Sequence, residues 1–218
     1  MRRVVAIALL LVAVTTMAAD NYLALGDSYT IGEAVPESGR WPVQLAQRLH
    51  WDAPQIIAHT GWTTDELALA IEAQQLHPRY AHVSLQIGVN NQYRGRTVAN
   101  YTSEFRILLD RAIALAEGDA ARVFVVSIPD WGVTTFATRD GRGRAGIAAE
   151  IDAFNTAAQQ VGKTRGVGFI DITPTSRDRG DDHDMLGDDG LHPSAAMYAR
   201  WIDVIVHALS MATPAKLR

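Results

Sequence analysis

The sequence lacks cysteine: none occurs among its 218 residues. Disulfide bonds, thiolate nucleophiles and thiolate metal sites are therefore excluded, and so is a lipid anchor that needs a cysteine acceptor. Any chemistry must use oxygen or nitrogen groups. With 48% hydrophobic and 20% charged residues, the composition is that of a folded chain, and the length suits one globular α/β domain.

A concentrated positive charge is also missing. The 20 Lys and Arg residues are scattered along the chain, and with 24 Asp and Glu residues the formal net charge is -4. Proteins that bind nucleic acid usually carry a basic patch or stripe. The sequence therefore predicts no nucleic-acid partner.

No apolar run is long enough to cross a membrane, which takes roughly 20 apolar residues. The longest run, 4–14, follows Arg2 and Arg3 and leads into small residues ending at Ala19. This pattern is typical of a signal peptide that is cleaved after Ala19. We therefore expect a signal peptide over 1–19, a single domain over 20–212 and a short tail over 213–218.

The mature chain expected from this cleavage begins near Asp20 and is acidic. Losing Arg2 and Arg3 leaves 18 basic against 24 acidic residues, a net charge of -6. We expect this chain to be exported, either to the periplasm or out of the cell, without a stable membrane anchor.

Short apolar runs alternate with longer segments of helical period after Asp20. This alternation predicts a doubly wound parallel sheet covered by helices, because buried parallel strands are short and mostly apolar. Five strands are expected, at 22–25, 55–58, 82–87, 123–128 and 167–172.

The predicted helices have recognisable ends. Thr63 and Glu66 form a capping box, and Pro42 suits a first helical turn. Longer helices are expected over 98–116, over 145–161 with Gly162 as its stop, and from Pro193 onward. The stretch 173–191 has no such period, and we expect it to be irregular.

Polar and glycine residues gather directly after the predicted strands. In an open α/β sheet, ligands bind beyond the carboxyl ends of the strands, where the strand order reverses. The loops there contain Gly26-Asp27-Ser28, Gly61-Trp62, Gly88-Val89-Asn90-Asn91, Asp130-Trp131-Gly132 and Asp189-Gly190-Leu191-His192. These loops are predicted to meet and to form the functional site.

Three of these residues fit a hydrolytic triad. Ser28 follows the first strand, and Asp189 lies three residues before His192, a spacing that lets the carboxylate reach Nδ1 of the imidazole. Each feature alone also fits a turn, a helix cap or a structural pair. The chain order Ser, Asp, His is one of those found in triads, but the Gly-x-Ser-x-Gly elbow of α/β-hydrolases is absent.

The motifs together resemble the SGNH hydrolases of the GDSL esterase/lipase superfamily over residues 21–209. Four family blocks appear in order, namely Leu25-Gly26-Asp27-Ser28-Tyr29, Gly61, Gly88-Val89-Asn90-Asn91 and Asp189-Gly190-Leu191-His192-Pro193. The resemblance implies a three-layer α/β/α sandwich with a five-strand parallel, flavodoxin-like sheet. It also implies Ser28 as the nucleophile, and an oxyanion hole made by the backbone N–H groups of Ser28 and Gly61 and the side-chain amide of Asn90.

Two positions depart from the family pattern. Asn91 stands where the third block usually ends in Asp, and His59 stands where the second block usually has Asn. Neither position has a direct catalytic role in the family. The two substitutions affect how the loops are held in place and which substrate is accepted. His59 itself is compatible either with a surface position or with a polar contact near the site.

The implied chemistry is cleavage of a carboxylic ester through an acyl-enzyme, and it needs no metal or cofactor. The acidic run Asp181-Asp182-His183-Asp184 lacks the spacing of an EF-hand loop and is expected to be a solvated loop. Short-chain acyl or O-acetyl esters are the first expectation for the substrate, on small molecules, glycans or lipids. Lysophospholipids and acyl thioesters are the alternative.

Several loop residues are candidates for substrate binding: Tyr29, Trp62, Asn91, Tyr93, Trp131 and Phe136. Each is equally compatible with packing against its own loop. Arginines on the same face would suit an anionic substrate, but charged loops are usually only solvated.

Two other functions use the same topology. A flavodoxin-like flavin site would use the Ser28–Gly32 loop, but its glycine is misplaced and it leaves Asp189 and His192 without a role. A silent glycan-binding module would have no reason to keep all three triad residues. The hydrolase interpretation is therefore favoured.

Overall fold

The computed structural model describes residues 20–212, so the predicted signal peptide and the tail over 213–218 lie outside the described residues. In this part of the chain, five parallel strands form one sheet in the order β2-β1-β3-β4-β5. Their bounds are β1 Tyr22–Gly26, β2 Gln55–Ala58, β3 His82–Gln86, β4 Val123–Val126 and β5 Gly168–Ile170. The predicted parallel, flavodoxin-like sheet is confirmed, with its switch point between β1 and β3.

Strands β4 and β5 end earlier than the sequence suggested, because side chains replace the backbone ladder there. The Ile128 N–H donates to Oδ1 of Asn155 at 2.9 Å, and the Ile172 N–H donates to the Ser127 hydroxyl at 2.8 Å. Buried backbone groups must find a partner, and these side chains provide it. In both cases the run of apolar residues in the sequence is therefore longer than the strand itself.

Within the described residues, eight α-helices cover the sheet on both faces: α1 Ser28–Ile31, α2 Trp41–Leu49, α3 Thr64–Ala73, α4 Val89–Tyr93, α5 Val98–Leu115, α6 Gly143–Arg165, α7 Thr173–Arg179 and α8 Ala195–Ala212. Helix α5 packs on α3 and α6, while α2 packs on α8. Short 3₁₀ turns occur at Glu37–Gly39, Ala120–Arg122, Trp131–Val133, Phe136–Arg139 and His183–Met185. The predicted capping box at Thr63 is present at the start of α3.

Two predicted helix boundaries were wrong. Helix α6 passes through Gly162 and ends at Gly166, whose φ of 70° suits a glycine stop. Gly162 instead permits close packing, since an added Cβ would lie 3.3 Å from the Val167 carbonyl oxygen. Helix α8 begins at Ala195 rather than at Pro193, with the Ser194 hydroxyl accepting from the Met197 N–H.

The stretch 173–191 is also more ordered than predicted, because it contains α7 and the turn His183–Met185. The sequence of α7 is almost wholly polar, so it has no apolar period to detect. Buried side chains from its first turns, Thr173 and Ser176, hold it against the loop after β4. This docking brings the following segment, with Asp189 and His192, back to the sheet.

The carboxyl ends of the three strands at the switch point lie level. In the strand register, Gly26 at the end of β1 pairs with Ala58 of β2 and Gln86 of β3. The loops that follow therefore start side by side, as expected from the sequence. No helix within 20–212 combines the length and the apolar character needed to span a membrane.

Candidate active site

A cleft of about 170 Å³ opens at this edge of the sheet. Its walls come from five different loops and contain Ser28, Tyr29, Thr60, Gly61, Val89, Asn90, Tyr93, Trp131, Phe136, Leu191 and His192. The cleft thus brings together Ser28 and His192, the three oxyanion candidates and four of the six residues predicted to bind substrate. Trp62 and Asn91 are not part of its lining.

Ser28 lies at the first position of α1, directly after β1. The Asp27 side chain caps this helix by accepting from the Tyr29 N–H at 3.1 Å. Glycine is required at position 26, at the end of β1, because an added Cβ would overlap the Thr30 hydroxyl and lie 2.6 Å from the Gln86 carbonyl oxygen. The tight turn therefore presents the Ser28 side chain at the sheet edge.

Asp27 itself is fully buried, and its Oδ2 has no hydrogen-bond partner in the described part of the chain. Burial raises the pKa of this carboxyl to about 7, although the hydrogen bond from Tyr29 opposes the rise. A group titrating near neutral pH thus lies next to the nucleophile candidate.

Asp189 and His192 form a direct pair, with 2.6 Å between Asp189 Oδ2 and His192 Nδ1. The other carboxylate oxygen, Oδ1, accepts from the backbone N–H groups of Leu191 and His192, both at 2.9 Å. Partial burial opposes ionisation of Asp189, but the hydrogen bonds from His192 and the backbone outweigh it and lower its pKa. The ionised carboxylate holds the imidazole with Nδ1 protonated and leaves Nε2 free to accept a proton.

The turn that carries this pair is anchored at both ends. The Gly190 carbonyl accepts from the Phe136 N–H at 3.1 Å, and the His192 carbonyl accepts from the Gly187 N–H at 2.7 Å. Gly190 has a φ of 67°, and an added Cβ would collide with the Thr135 hydroxyl. Both the left-handed conformation and the lack of space require glycine here.

Ser28 and His192 share the cleft without a hydrogen bond between their side chains. Catalytic hydrogen bonds are often long or poorly aligned before substrate binds. The Tyr29 ring, 5.5 Å from the His192 ring, packs beside the pair, and the buried Tyr198 hydroxyl donates to the Tyr29 carbonyl. These contacts tie α1 to α8 behind the site.

The three oxyanion candidates all line the cleft. No described group accepts from the backbone N–H of Ser28 or Gly61, which leaves both donors available. The side-chain amide of Asn90 donates one N–H to the Trp62 carbonyl at 3.0 Å, so its second N–H remains for a ligand. Preorganised neutral donors of this kind stabilise a developing oxyanion.

The two departures from the family pattern have distinct contacts. Asn91 is fully buried, where its Oδ1 accepts from the Thr64 N–H at 3.1 Å and its Nδ2 donates to the Thr64 hydroxyl at 2.7 Å. It therefore braces α4 against the start of α3. His59 is exposed, contacts the Thr60 carbonyl through Nδ1 at 2.9 Å and stacks on Trp62 at 5.4 Å.

Tyr93, Trp131 and Phe136 form an aromatic wall with ring centroids 5.5 to 6.4 Å apart. These three aromatic residues were predicted from the sequence, but the side chains that contact and support them were not. The Arg142 guanidinium lies 5.1 Å from the Trp131 ring and 5.6 Å from the Tyr93 ring. The Trp131 indole N–H donates to Gln92 at 2.8 Å.

Arginines near the cleft are mostly engaged with protein groups. Arg142 pairs with Asp140 and Glu150, Arg96 with Asp65 and Glu104, and Arg144 with Asp181. In the run 181–184, Asp182 pairs with Arg179. Across residues 20–212, no three His, Asp or Glu side chains are arranged to hold a metal ion.

Several solved structures share this fold. The extracellular lipase from Streptomyces rimosus has a TM-score of 0.69 at 19% identity, covering 87% of this chain and 100% of the lipase. The esterase EstA from Pseudoalteromonas sp., solved inhibited by monoethylphosphonate, has a TM-score of 0.67 at 16% identity, covering 88% and 97%. Phospholipase A1 from Streptomyces albidoflavus has a TM-score of 0.65 at 20% identity, covering 88% and 100%. These likenesses establish the α/β/α fold of the SGNH hydrolases.

The family itself follows from the sequence profile of the GDSL-like lipase/acylhydrolase family, which matches residues 24–200. The chain belongs to this family of hydrolases. No curated protein matches it closely.

Proposed function

We propose that this protein is a serine hydrolase that cleaves carboxylic esters, with short-chain acyl or O-acetyl esters as its substrates. The observation that carries the proposal is that His192, paired with Asp189, lines the same cleft as Ser28 and the free N–H donors. Family membership supports hydrolysis, and the structural neighbours include a lipase, an esterase and a phospholipase.

In the first half-reaction, Ser28 Oγ attacks the ester carbonyl while His192 Nε2 takes the hydroxyl proton. Asp189 stabilises the resulting imidazolium without accepting its proton. The tetrahedral oxyanion receives hydrogen bonds from the Ser28 N–H, the Gly61 N–H and the Asn90 amide. The imidazolium then protonates the leaving alcohol, and the acyl-enzyme remains.

In the second half-reaction, water replaces the alcohol. His192 Nε2 removes a proton from the water as its oxygen attacks the acyl carbonyl, and the same donors stabilise the second oxyanion. Collapse of the intermediate returns the proton to Ser28 Oγ and releases the carboxylic acid. No other reactant is needed.

The size and lining of the cleft support small acyl groups. Its volume of about 170 Å³ is below the range of about 300–1,000 Å³ usual for sites that hold drug-sized ligands. The aromatic wall of Tyr93, Trp131 and Phe136 offers an apolar surface to the substrate. A long acyl chain would have to extend beyond this cleft.

The experiment treats the purified protein and its Ser28→Ala variant with a fluorophosphonate probe and with p-nitrophenyl esters of increasing acyl length. Ser103→Ala, which removes an exposed serine on α5, is the matched control. We expect labelling and turnover in the wild type and the control but not in Ser28→Ala, with kcat/KM falling beyond short chains. Labelling that persists in Ser28→Ala would refute the nucleophile, and a preference for long acyl chains would refute the substrate class.

The N-terminal pattern supports the further proposal that the enzyme acts outside the cytoplasm. Fractionation of cells expressing the full chain, with N-terminal sequencing of the product, tests it. A mature protein beginning near Asp20 in the periplasm or medium is expected, and an intact N-terminus in the cytoplasm would contradict it.

A further inference from the structure

Three successive carbonyl groups of the turn after β2 are each held by a different side chain. His59 Nδ1 is 2.9 Å from the Thr60 carbonyl oxygen, which can only accept, so Nδ1 carries the proton. An Arg94 guanidinium N–H donates to the Gly61 carbonyl at 2.6 Å. The Asn90 amide donates to the Trp62 carbonyl at 3.0 Å.

The first of these bonds sets the direction of a catalytic donor. The Thr60 carbonyl and the Gly61 N–H belong to one planar trans peptide, so they point in opposite directions. By holding the carbonyl, His59 fixes the plane of this peptide and aims the Gly61 N–H away from itself. The same N–H has no acceptor within residues 20–212, and Gly61 lines the cleft.

The second bond holds the peptide on the other side of Gly61. The φ of Gly61 is +86°, a conformation that glycine reaches easily but also leaves easily. Arg94 comes from the end of α4, the helix that carries Asn90, and its guanidinium also lies 3.4 Å from the Glu66 carboxylate. It therefore ties the Gly61 turn to the element that supplies the neighbouring oxyanion donor.

We propose that His59 and Arg94 are positioning residues that hold the Gly61 N–H in the oxyanion hole. The inference rests on the proposed ester hydrolysis and extends it to two residues that the family resemblance does not assign to the oxyanion hole. It also gives a physical role to His59, which replaces the Asn usual in the family. In this chain, side-chain hydrogen bonds to the carbonyl oxygens hold the turn in place.

The expected signature is a loss of kcat at nearly constant KM, because the donor acts mainly on the transition state. Removing an oxyanion donor entirely costs about a hundredfold to a thousandfold. Loosening one without removing it should cost less, and we expect kcat to fall about tenfold in His59→Phe and in Arg94→Ala. Phenylalanine keeps a ring to stack on Trp62 but removes the hydrogen-bond donor.

Conservative variants and matched controls separate positioning from stability. His59→Asn and Arg94→Lys restore an N–H donor and should recover part of the lost kcat. Arg96→Ala removes a neighbouring arginine that pairs with Asp65 and Glu104 but not with the turn, and His183→Phe removes an exposed histidine elsewhere. Both controls should keep kcat within about twofold of the wild type.

A second readout does not depend on turnover. The amide resonance of Gly61 in ¹⁵N spectra should shift, and its hydrogen exchange should quicken, in His59→Phe and Arg94→Ala but not in the controls. An unchanged kcat in an active enzyme, or an equal loss in Arg96→Ala, would overturn the inference. If the wild type shows no esterase activity, the proposed function fails, and an unmoved Gly61 resonance would then reject the positioning role on its own.

Discussion

The buried carboxyl of Asp27 makes the stability of this protein depend on pH in a direction opposite to that of most aspartates. Its pKa is raised from 3.8 to about 7 in the folded chain, because it is buried with one oxygen unpartnered. Between these values the folded state binds more protons than the unfolded state. The free energy of unfolding therefore falls as pH rises from about 4 to about 7 and then levels off.

The size of the effect follows from the same pKa difference. Each pKa unit corresponds to about 1.36 kcal/mol, so the full loss is about 4 kcal/mol, of which about 3 kcal/mol falls between pH 5 and pH 8. Asp27→Asn removes the ionisation and keeps an oxygen that can accept from the Tyr29 N–H. The variant should resemble the wild type with its carboxyl protonated.

Urea unfolding of both proteins at intervals from pH 5 to pH 8 measures this difference. We expect Asp27→Asn to gain about 3 kcal/mol relative to the wild type across this range. Asp178→Asn, which removes an exposed carboxylate on α7, controls for the change in net charge. Parallel stability curves for the wild type and Asp27→Asn would refute the raised pKa.

Other consequences of the geometry can be measured directly. Asp189→Asn should lower kcat by a hundredfold or more with little change in melting temperature, because it disturbs the protonation of His192 Nδ1. A near-normal rate would show that another residue is the acid of the triad. Asn90→Ala should lower kcat about a hundredfold rather than raise KM, and a pure KM effect in steady-state kinetics would contradict its oxyanion role. Gly26→Ala should lower the free energy of unfolding by several kcal/mol in urea titrations, since a Cβ there has no room beside the Gln86 carbonyl oxygen. A change below about 1 kcal/mol would show that the turn can move to make room for the methyl group.

The strands and the local motifs could be predicted because their causes lie in neighbouring residues. Short apolar runs bounded by glycine and polar residues indicated all five strands, and the capping box at Thr63 marked the start of α3. The Asp189–His192 pair is equally local, since three residues and one glycine turn bring the carboxylate to Nδ1. Helix α7 escaped prediction because its seven residues are almost all polar and docking stabilises it.

The remaining features depended on which distant segments the sheet brings side by side. By itself the sequence determined the five-strand architecture, the order of the family blocks and the local geometry of Ser28 and His192. Only the tertiary structure decided that Asn91 braces α4 against the start of α3, that Arg142 packs on the Tyr93 ring and that Arg94 holds the Gly61 carbonyl. The physical reason is that such contacts join loops from different strands, whose distances are set by strand register and helix packing rather than by neighbouring residues.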